Sequence, residues 1–152
     1  MRIRSAQPGD AVAVLALAEA FYTEGAFATK PDELATNLPI LLDSDTVRVA
    51  VALEGAAPVG FAITTVSFGL EHGRIAILED LYVTPGQRRH GIGTALIDDS
   101  AHWAATLGCR HLELVVAPNG QEVGHLFTYY TRLGFLDDGR RLLSRPLESA
   151  RR

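Results

Sequence analysis

The sequence predicts a mixed fold, α/β or α+β, in which helices pack against one mixed sheet. At 152 residues the chain is close to the commonest length of a single domain, so we expect one domain over residues 1–152. The composition, with 47% hydrophobic and 21% charged residues, is typical of an ordinary globular protein. Runs with the two-residue alternation of strands and runs with helical spacing follow one another along the chain, which favours a fold that contains both.

The first half of the chain is predicted to form a strand, two helices and a hairpin. Asp10 can cap the first helix, because apolar residues recur at helical spacing directly after it. Pro31 suits the first turn of the second helix, whereas Pro39 is expected to kink or shorten that helix. The elements predicted here are a strand at 2–5, a helix at 10–24, a second helix that begins at Pro31 and has Leu34, Leu38, Leu41 and Leu42 on one face, and strands at 46–53 and 59–68.

The second half is predicted to contain a crossover connection. A strand ends at Thr84-Pro85-Gly86, a helix begins at the next pair of glycines, and Gly108 is well placed to end that helix. The strands on either side of the helix are therefore expected to be parallel neighbours. The elements predicted here are a strand at 74–83, the helix ending at Gly108, a strand at 111–117, a helix at 122–133 and an edge strand at 140–147.

The charge is distributed unevenly along the chain. The formal net charge is −4, but residues 10–80 carry eleven acidic and three basic side chains. Such a region attracts cations and repels nucleic acid, and no basic stripe with interleaved aromatic residues reverses it. We therefore expect no nucleic-acid partner. A solvated acidic surface that serves solubility is the alternative explanation for most of these carboxylates.

Cysteine and histidine usage indicates neither a disulfide nor a metal site. The single cysteine, Cys109, excludes an internal disulfide and favours a reducing compartment, so a cytoplasmic location is expected. The five histidines form no H-x-x-x-H pair. The run at 11–18 loosely imitates a secretory signal, but Pro8, Gly9 and Glu19 favour a turn followed by an amphipathic helix. No apolar run approaches the roughly 20 residues needed to span a membrane.

The stretch R-R-H-G-I-G has the composition of an anion-binding turn. Its two glycines stand where a strand hands over to a helix N-terminus, so backbone N–H groups can face a ligand without an intervening Cβ. Arg88 and Arg89 add positive charge. An ordinary tight turn with basic residues is the alternative. Leu96 stands where the third glycine of a dinucleotide-binding motif would be, and no lysine follows as in a Walker loop.

With these motifs the chain resembles the GCN5-related N-acetyltransferase superfamily. Arg88, Gly91 and Gly93 match its R/Q-x-x-G-x-G/A signature, the strand L-Y-V precedes that loop, and Y-x-x-x-G-F follows at Tyr130 to Phe135. The resemblance covers essentially the whole chain. The stretch L-E-D-L-Y-V especially resembles the corresponding segment of the diamine and polyamine acetyltransferase branch of this superfamily.

The resemblance implies a mixed, mostly antiparallel central sheet with splayed parallel strands and helices on both faces. It implies acetyl-CoA as the cofactor, with the coenzyme A pyrophosphate on the loop amides and the pantetheine arm along the preceding strand. One departure is that Val123 occupies the place of the family's usual asparagine, so Asn119, in an apparent insertion, is the nearest substitute. The implied cofactor-binding residues are Leu81, Tyr82, Val83, Arg88, Arg89, His90, Gly91, Ile92, Gly93, Thr94 and Asn119.

Two residues are expected to carry the chemistry. Glu79 stands where the resemblance puts a carboxylate facing the acceptor amine, and a salt-bridged strand residue is the alternative. Tyr130 stands at the position that protonates the departing thiolate, and a core residue is the alternative. Successive strand residues face opposite sides, so Glu79 and Asp80 can share one face only if a bulge re-aims them. A nucleophilic role for Cys109 is disfavoured, since a structural thiol is commoner.

The acceptor is expected to be a small-molecule amine. Tyr22, Glu24 and Phe27, with Asp80, are predicted to form an aromatic and acidic pocket for a cation such as a polyamine, an aminoglycoside or an amino-acid-like compound. A protein or peptide acceptor, or a non-catalytic acyl-CoA-binding sensor, remains the alternative. A homodimer formed through the last edge strand is a further possibility.

Overall fold

The structure, a computed structural model, describes residues 1–148 of the protein. Within these residues the chain forms five strands and four helices. The strands are β1 (Arg2–Ser5), β2 (Val47–Glu54), β3 (Ala57–Gly69), β4 (Gly73–Val83) and β5 (Leu112–Leu114). The helices are α1 (Ala11–Glu24), α2 (Pro31–Leu42), α3 (Ile92–Thr106) and α4 (Gly124–Arg132).

The strands lie side by side in chain order, from β1 to β5. Neighbours from β1 to β4 are antiparallel, whereas β4 and β5 are parallel because the chain crosses over through α3. Helices α1 and α2 cover one face of the sheet, and α3 and α4 pack on the other. This mixed, mostly antiparallel sheet with helices on both faces confirms the predicted fold class.

Strand β2 shows why a helix pair packs on each face. Val49 and Val51 are buried against α1 and α2. Ala50 and Ala52 belong to the opposite face, where their small side chains leave room for fully buried Leu96 of α3. Since alternate strand residues point to opposite sides, the sequence V-A-V-A buries the strand on both faces and lets α3 approach closely.

The predicted end of α3 is confirmed. Gly108 has a left-handed φ of 84°, which glycine adopts without a steric penalty. The N–H of Gly108 donates to the carbonyl of Ala105 at 3.0 Å, and the N–H of Cys109 donates to the carbonyl of Ala104 at 3.1 Å. These two bonds form a Schellman motif, which turns the chain directly toward β5.

The edge strand predicted at 140–147 is wrong. No strand follows β5 within residues 115–148, and the side chains of residues 139–148 are exposed. Gly139, with φ of 83°, turns the chain, and Pro146 lacks the N–H that a strand ladder requires. The strand that was expected to support a homodimer is therefore not formed in this part of the chain.

Two predictions near the N-terminus also change. The Asp10 carboxylate does not cap α1: it accepts bonds from the Arg4 guanidinium and from the backbone N–H of Gln7, and a short 3-10 turn at Pro8–Asp10 precedes the helix. Helix α2 continues through Pro39 to Leu42. Pro39 stands close to the C-terminal end of α2, where a missing N–H removes a single intrahelical bond.

None of the helices within residues 1–148 combines the length and the apolar character needed to cross a membrane. Nor does any group of His, Cys, Asp or Glu side chains in this part of the chain have an arrangement that would hold a metal ion.

Candidate active site

A cleft opens where β4 and β5 move apart. Their last paired residues are Leu78 and Leu114, but β4 continues to Val83. The segment 115–117, predicted as strand, leaves the sheet and forms part of the opposite wall. The cleft between the two segments has a volume of about 570 Å³. The splayed parallel strands implied by the resemblance are therefore present, and they explain why β5 is shorter than predicted.

A β-bulge in β4 brings two carboxylates into this cleft. Asp80 pairs with Ile63 of β3, and Leu78 pairs with Thr64, so Glu79 is an extra residue in the register. An extra residue bends the strand and re-aims the side chains next to it. Both Glu79 and Asp80 consequently line the cleft, which regular strand alternation would not allow.

Asp80 is partly buried and hydrogen-bonded to helix α1. Its carboxylate accepts a hydrogen bond of 2.8 Å from the hydroxyl of Tyr22 on α1. Burial raises the pKa of Asp80, the bond from Tyr22 opposes that rise, and the nearby charge of Glu79 adds to it. Burial and then the Asp80 charge raise the pKa of Tyr22, so Tyr22 keeps its proton and acts as the donor.

Glu79 differs from its neighbour in being exposed to the cleft. One of its oxygens accepts a hydrogen bond of 3.0 Å from the hydroxyl of Thr65 on β3. This bond orients the carboxylate, and the exposed position leaves it accessible to a ligand or to water. Glu79 is thus placed to exchange a proton with a molecule in the cleft.

Tyr130 lines the cleft from α4. Its ring packs against Tyr129 at 5.3 Å and edge-on against Phe135 at 5.7 Å between centroids. Burial, and secondarily Tyr129, raise the pKa of Tyr130, so the phenol is protonated at neutral pH. A protonated hydroxyl in the cleft wall can donate to a developing anion.

The ending of α4 explains the spacing of Y-x-x-x-G-F. Gly134 has φ of 94°, and its N–H donates to the carbonyl of Thr131. The N–H of Phe135 donates to the carbonyl of Tyr130 at 3.1 Å. This is a Schellman motif with the usual contact between its two apolar positions, so the glycine and the phenylalanine hold the tyrosine ring in place.

The loop before α3 has the geometry of an anion cradle. Arg89 and Gly91 have left-handed φ values of 65° and 79°, and no side chain caps the helix N-terminus that follows. A Cβ at Gly91 would meet no atom within 4 Å, so the absence of a side chain keeps the approach to the helix amides open. These uncapped amides fit a diphosphate group.

Tyr129 contacts the same helix N-terminus. Its hydroxyl lies 3.0 Å from the hydroxyl of Thr94, and it would lie 3.1 Å from a Cβ added at Gly93. The second glycine of the motif therefore makes room for the hydroxyl of Tyr129. Tyr129 is not among the residues that the sequence predicted for the site.

Arg88 forms an ion pair within the cleft wall. Its guanidinium donates to both carboxylate oxygens of Glu24, one of them at 2.8 Å, and to the backbone carbonyl of Val83 at 2.8 Å. It also lies 5.4 Å from the centroid of the Tyr82 ring. Two residues predicted for different ligands, Arg88 for the cofactor and Glu24 for the acceptor, are thus bonded to each other.

An aromatic cluster lines the part of the cleft next to α1. The rings of Tyr22 and Phe27 are 4.8 Å apart, and Phe21 lies between Tyr22 and Tyr82, at 5.4 and 5.5 Å respectively. The predicted aromatic pair therefore joins the strand that was assigned to the pantetheine arm. Phe21 is an additional aromatic residue of the lining.

The cleft brings together most of the predicted site residues. The predicted residues that line it are Tyr22, Glu24, Phe27, Glu79, Asp80, Leu81, Tyr82, Val83, Arg88, Gly93 and Tyr130. Of the others, Arg89, His90 and Gly91 belong to the loop and Thr94 to the first turn of α3, whereas Ile92 is buried in the core.

The segment 118–123 was noted in the sequence only as an insertion. Asn119, expected near the cofactor, donates to the carbonyl of Gly25 at 3.1 Å. Gln121 donates to the carbonyl of Glu24 at 2.8 Å. The segment therefore ties the wall at α4 to the end of α1. Polar residues in the insertion were the only sequence signal for this bridge. Lining residues that sequence reasoning missed include, besides Phe21, the residues Gln121, Glu122, His125, Leu126 and Tyr129.

The family model of the acetyltransferase (GNAT) family matches residues 12–135. The chain belongs to this family. Acetyl-CoA is the acetyl donor in the family, so the predicted family and cofactor are confirmed. The uncapped α3 amides beside Gly91 fit the anionic part of this GNAT cofactor.

Among curated proteins, an aminoglycoside N(6')-acetyltransferase of Klebsiella aerogenes is 42% identical over 66 residues, which are 41% of this chain and 43% of that protein. A thialysine N-epsilon-acetyltransferase of Mus musculus is 32% identical over 76 residues, which are 50% of this chain and 45% of that protein. The matched regions thus span less than half the length of these relatives.

Among solved structures, an integron cassette protein from the mobile metagenome of Cole Harbour Salt Marsh superposes with a TM-score of 0.83, with 29% identity over 97% of this chain and 91% of that chain. The aminoglycoside N-acetyltransferase AAC(6')-Iy in complex with CoA gives a TM-score of 0.82, with 20% identity over 95% of this chain and 93% of that chain. At such identity the second match supports the GNAT fold alone.

Proposed function

We propose that this GNAT protein transfers the acetyl group of acetyl-CoA to a primary amine of a small cationic molecule, by direct transfer in a ternary complex. The bulge at Glu79 is the observation that carries the proposal. It brings two carboxylates into the cleft between the splayed strands, in the same lining as the Tyr130 phenol. A proton acceptor and a proton donor therefore share one cavity, as amine acetylation requires.

Glu79 is the group we propose to remove the proton from the acceptor. An alkylammonium with a pKa near 10.4 must lose its proton before it can attack, which costs about 4 to 5 kcal/mol at neutral pH. Glu79 is exposed to the cleft and oriented by Thr65, so it can accept this proton directly or through water. Asp80, held by Tyr22, contributes a second negative charge that attracts the ammonium.

Tyr130 is the group we propose to protonate the leaving sulfur. Acetyl-CoA supplies the activated acetyl group as a thioester. Tyr130 carries its proton at neutral pH because burial raises its pKa, and Phe135 and Tyr129 fix its ring. The hydroxyl of Tyr130 can therefore donate its proton to the sulfur without a prior change in its protonation state.

The cofactor is proposed to bind along β4 and the loop after it. The free edge of β4 at 81–83 offers backbone groups for the pantetheine arm, and the α3 amides at Gly91 to Thr94 offer N–H groups for the diphosphate. Tyr129 and Thr94 hold each other at this helix terminus. The predicted role of Ile92 depends on its backbone, since its side chain is buried in the core, whereas the side chains of Arg89 and His90 are exposed.

Several features favour a small acceptor over a peptide. The aromatic pair of Tyr22 and Phe27, beside Glu79 and Asp80, suits an organic cation. The segment 118–123 is hydrogen-bonded to the end of α1, so it flanks the cleft beside the aromatic pair. The aligned relatives are named for aminoglycosides and thialysine, which supports an aminoglycoside, polyamine or amino-acid-like acceptor.

The test is amine-dependent release of free CoA thiol from acetyl-CoA, measured across aminoglycosides, polyamines, amino acids including thialysine, and basic peptides. We expect saturable turnover with one small-molecule class. Glu79→Gln should lower that turnover about 100-fold or more, whereas Glu113→Gln, on β5 but outside the cleft lining, is the matched control. Turnover with basic peptides alone would reject the small-acceptor proposal. Binding of acetyl-CoA without turnover on any class would favour a sensor.

We place the reaction in the cytoplasm on the basis of the single cysteine. A homodimer stays a prediction, and analytical ultracentrifugation of the full chain at micromolar concentration would test it.

A further inference from the structure

The ion pair between Glu24 and Arg88 joins the two halves of the proposed site. Glu24 is the last residue of α1, on the acceptor side, and Arg88 precedes the cofactor loop. Their side chains remain 46% and 41% exposed respectively, and both line the cleft. Each of the two charges therefore neutralises the other at a place that both substrates would reach.

The charges along the cleft are unequal. Its acidic lining residues are Glu24, Glu79, Asp80 and Glu122, and Arg88 is the sole lysine or arginine among the described residues that line it. A cofactor with phosphate groups and an acceptor with an ammonium group make opposite demands on this lining. Arg88 can bind a phosphate of the cofactor, and Glu24 can bind the ammonium of the acceptor. Neither side chain is available for these contacts while the two are bonded to each other.

We propose that the Glu24–Arg88 pair is exchanged when the substrates bind, with Arg88 turning to a phosphate of the cofactor and Glu24 turning to the ammonium of the acceptor. This inference rests on the proposed function. The substrate that binds first separates the ion pair. The side chain that it does not contact is then free to bind the second substrate. The two substrates therefore raise each other's affinity, and by linkage the factor is the same in both directions.

Only the ends of the two side chains need to move. The backbone carbonyls of Glu24 and Gly25 are held by Gln121 and Asn119, so the end of α1 stays in place when Arg88 departs. Arg88 also donates from Nε to the carbonyl of Val83, and because the guanidinium is planar and rigid, this bond is released when the side chain turns to a phosphate. Exposed ion pairs contribute little net stability, so exchanging this one for ligand charges disturbs the fold little.

The test uses calorimetry with CoA, and with neamine and spermidine as amine probes, on the full chain. Glu24→Gln frees Arg88 and should tighten CoA binding about 5-fold while weakening amine binding. Arg88→Gln should do the reverse, weakening CoA binding and tightening amine binding about 5-fold. Wild-type protein should bind CoA about 5-fold more tightly in saturating amine, and each variant should lose this effect.

Glu113→Gln is the matched control, because it also removes a carboxylate bonded to an arginine, Arg140, outside the cleft lining. It should leave both affinities unchanged. If the ion pair is purely structural, Glu24→Gln and Arg88→Gln should each weaken the binding of both CoA and the amine. That result would overturn the proposed exchange, and so would an unchanged CoA affinity in Glu24→Gln. The CoA measurement needs no amine turnover, so it decides the exchange even if the proposed acetylation fails.

Discussion

Replacing Asp80 by asparagine should make the protein more stable and less active. The substitution removes a partly buried negative charge but retains an oxygen that can accept the hydrogen bond from Tyr22. Asparagine has nearly the same shape, so it opens no cavity. Stability and activity are therefore expected to change in opposite directions, as in other active sites that hold a strained or poorly solvated charge.

The sign follows from the pKa of Asp80. Burial raises this pKa above the ordinary 3.8, so the folded state holds the proton more tightly than the unfolded state does. The stability that protonation provides is present below pH 3.8 and is lost as pH rises through the raised folded pKa. At neutral pH the ionised wild-type protein has lost it. Asparagine cannot ionise, so the variant should be more stable by about 1 kcal/mol, which is roughly 2–4 °C in melting temperature for a chain of this size.

Thermal melts of Asp80→Asn and wild type between pH 4 and pH 8 test this reasoning. The melting temperature of Asp80→Asn should exceed that of wild type most at pH 8, and this difference should shrink as the pH falls toward the ordinary pKa of an aspartate. Glu79→Gln, at the exposed neighbouring position, is the control and should change the melting temperature little. A variant less stable than wild type at pH 8, or a gain that does not depend on pH, would show that burial does not disfavour the charge of Asp80.

Three other substitutions separate chemistry, cofactor binding and folding. Tyr130→Phe should lower turnover about 100-fold or more while leaving CoA affinity by calorimetry unchanged; a fully active variant would mean that the leaving thiolate needs no phenol. Gly91→Glu should weaken CoA binding about 10-fold or more, because it adds a side chain at φ of 79° and a charge against phosphate; unchanged affinity would remove the cradle from the proposed site. Asp10→Asn should destabilise the fold by about 1 kcal/mol or less. Arg4 is the main reason that the pKa of the Asp10 carboxyl is lowered to about 2 in the wild-type protein. In urea titrations the loss of unfolding free energy in Asp10→Asn should therefore be complete above pH 4 and disappear as pH falls through about 2. A loss that persists below about pH 2 would show that the ionised Asp10 carboxylate is not its source.

The backbone geometry of the proposed cofactor side could be predicted from the sequence because its constraints are local. The strand before Thr84, the left-handed glycine at Gly91 and the helix that follows are consecutive in the chain. The same holds for Tyr130 and Phe135, which one Schellman turn brings together. Positive φ, helix ends and strand alternation depend on near neighbours, so spacing alone indicates them.

The proposed acceptor side depends on contacts between distant parts of the chain. The ion pair of Glu24 and Arg88 joins residues 64 apart, and the bond from Gln121 to Glu24 spans 97 residues. The final edge strand failed for a related reason: local sequence at 140–147 permitted a strand, but the structure offers this segment no strand partner. Pairing across a sheet depends on topology as well as on the propensity of a single segment.

The bulge at Glu79 links the fold to the proposed chemistry. Without it, strand alternation would direct one carboxylate of the E-D pair into the cleft and the other into the opposite face, where burial would leave an unpaired charge. The extra residue in the β3–β4 register brings both into the cleft lining, with Thr65 bonded to Glu79 and Tyr22 bonded to Asp80. The sequence contains both carboxylates but no signal that fixes the bulge. The register between β3 and β4 therefore determines whether both carboxylates line this cleft, as the proposed binding and deprotonation of a cationic amine require.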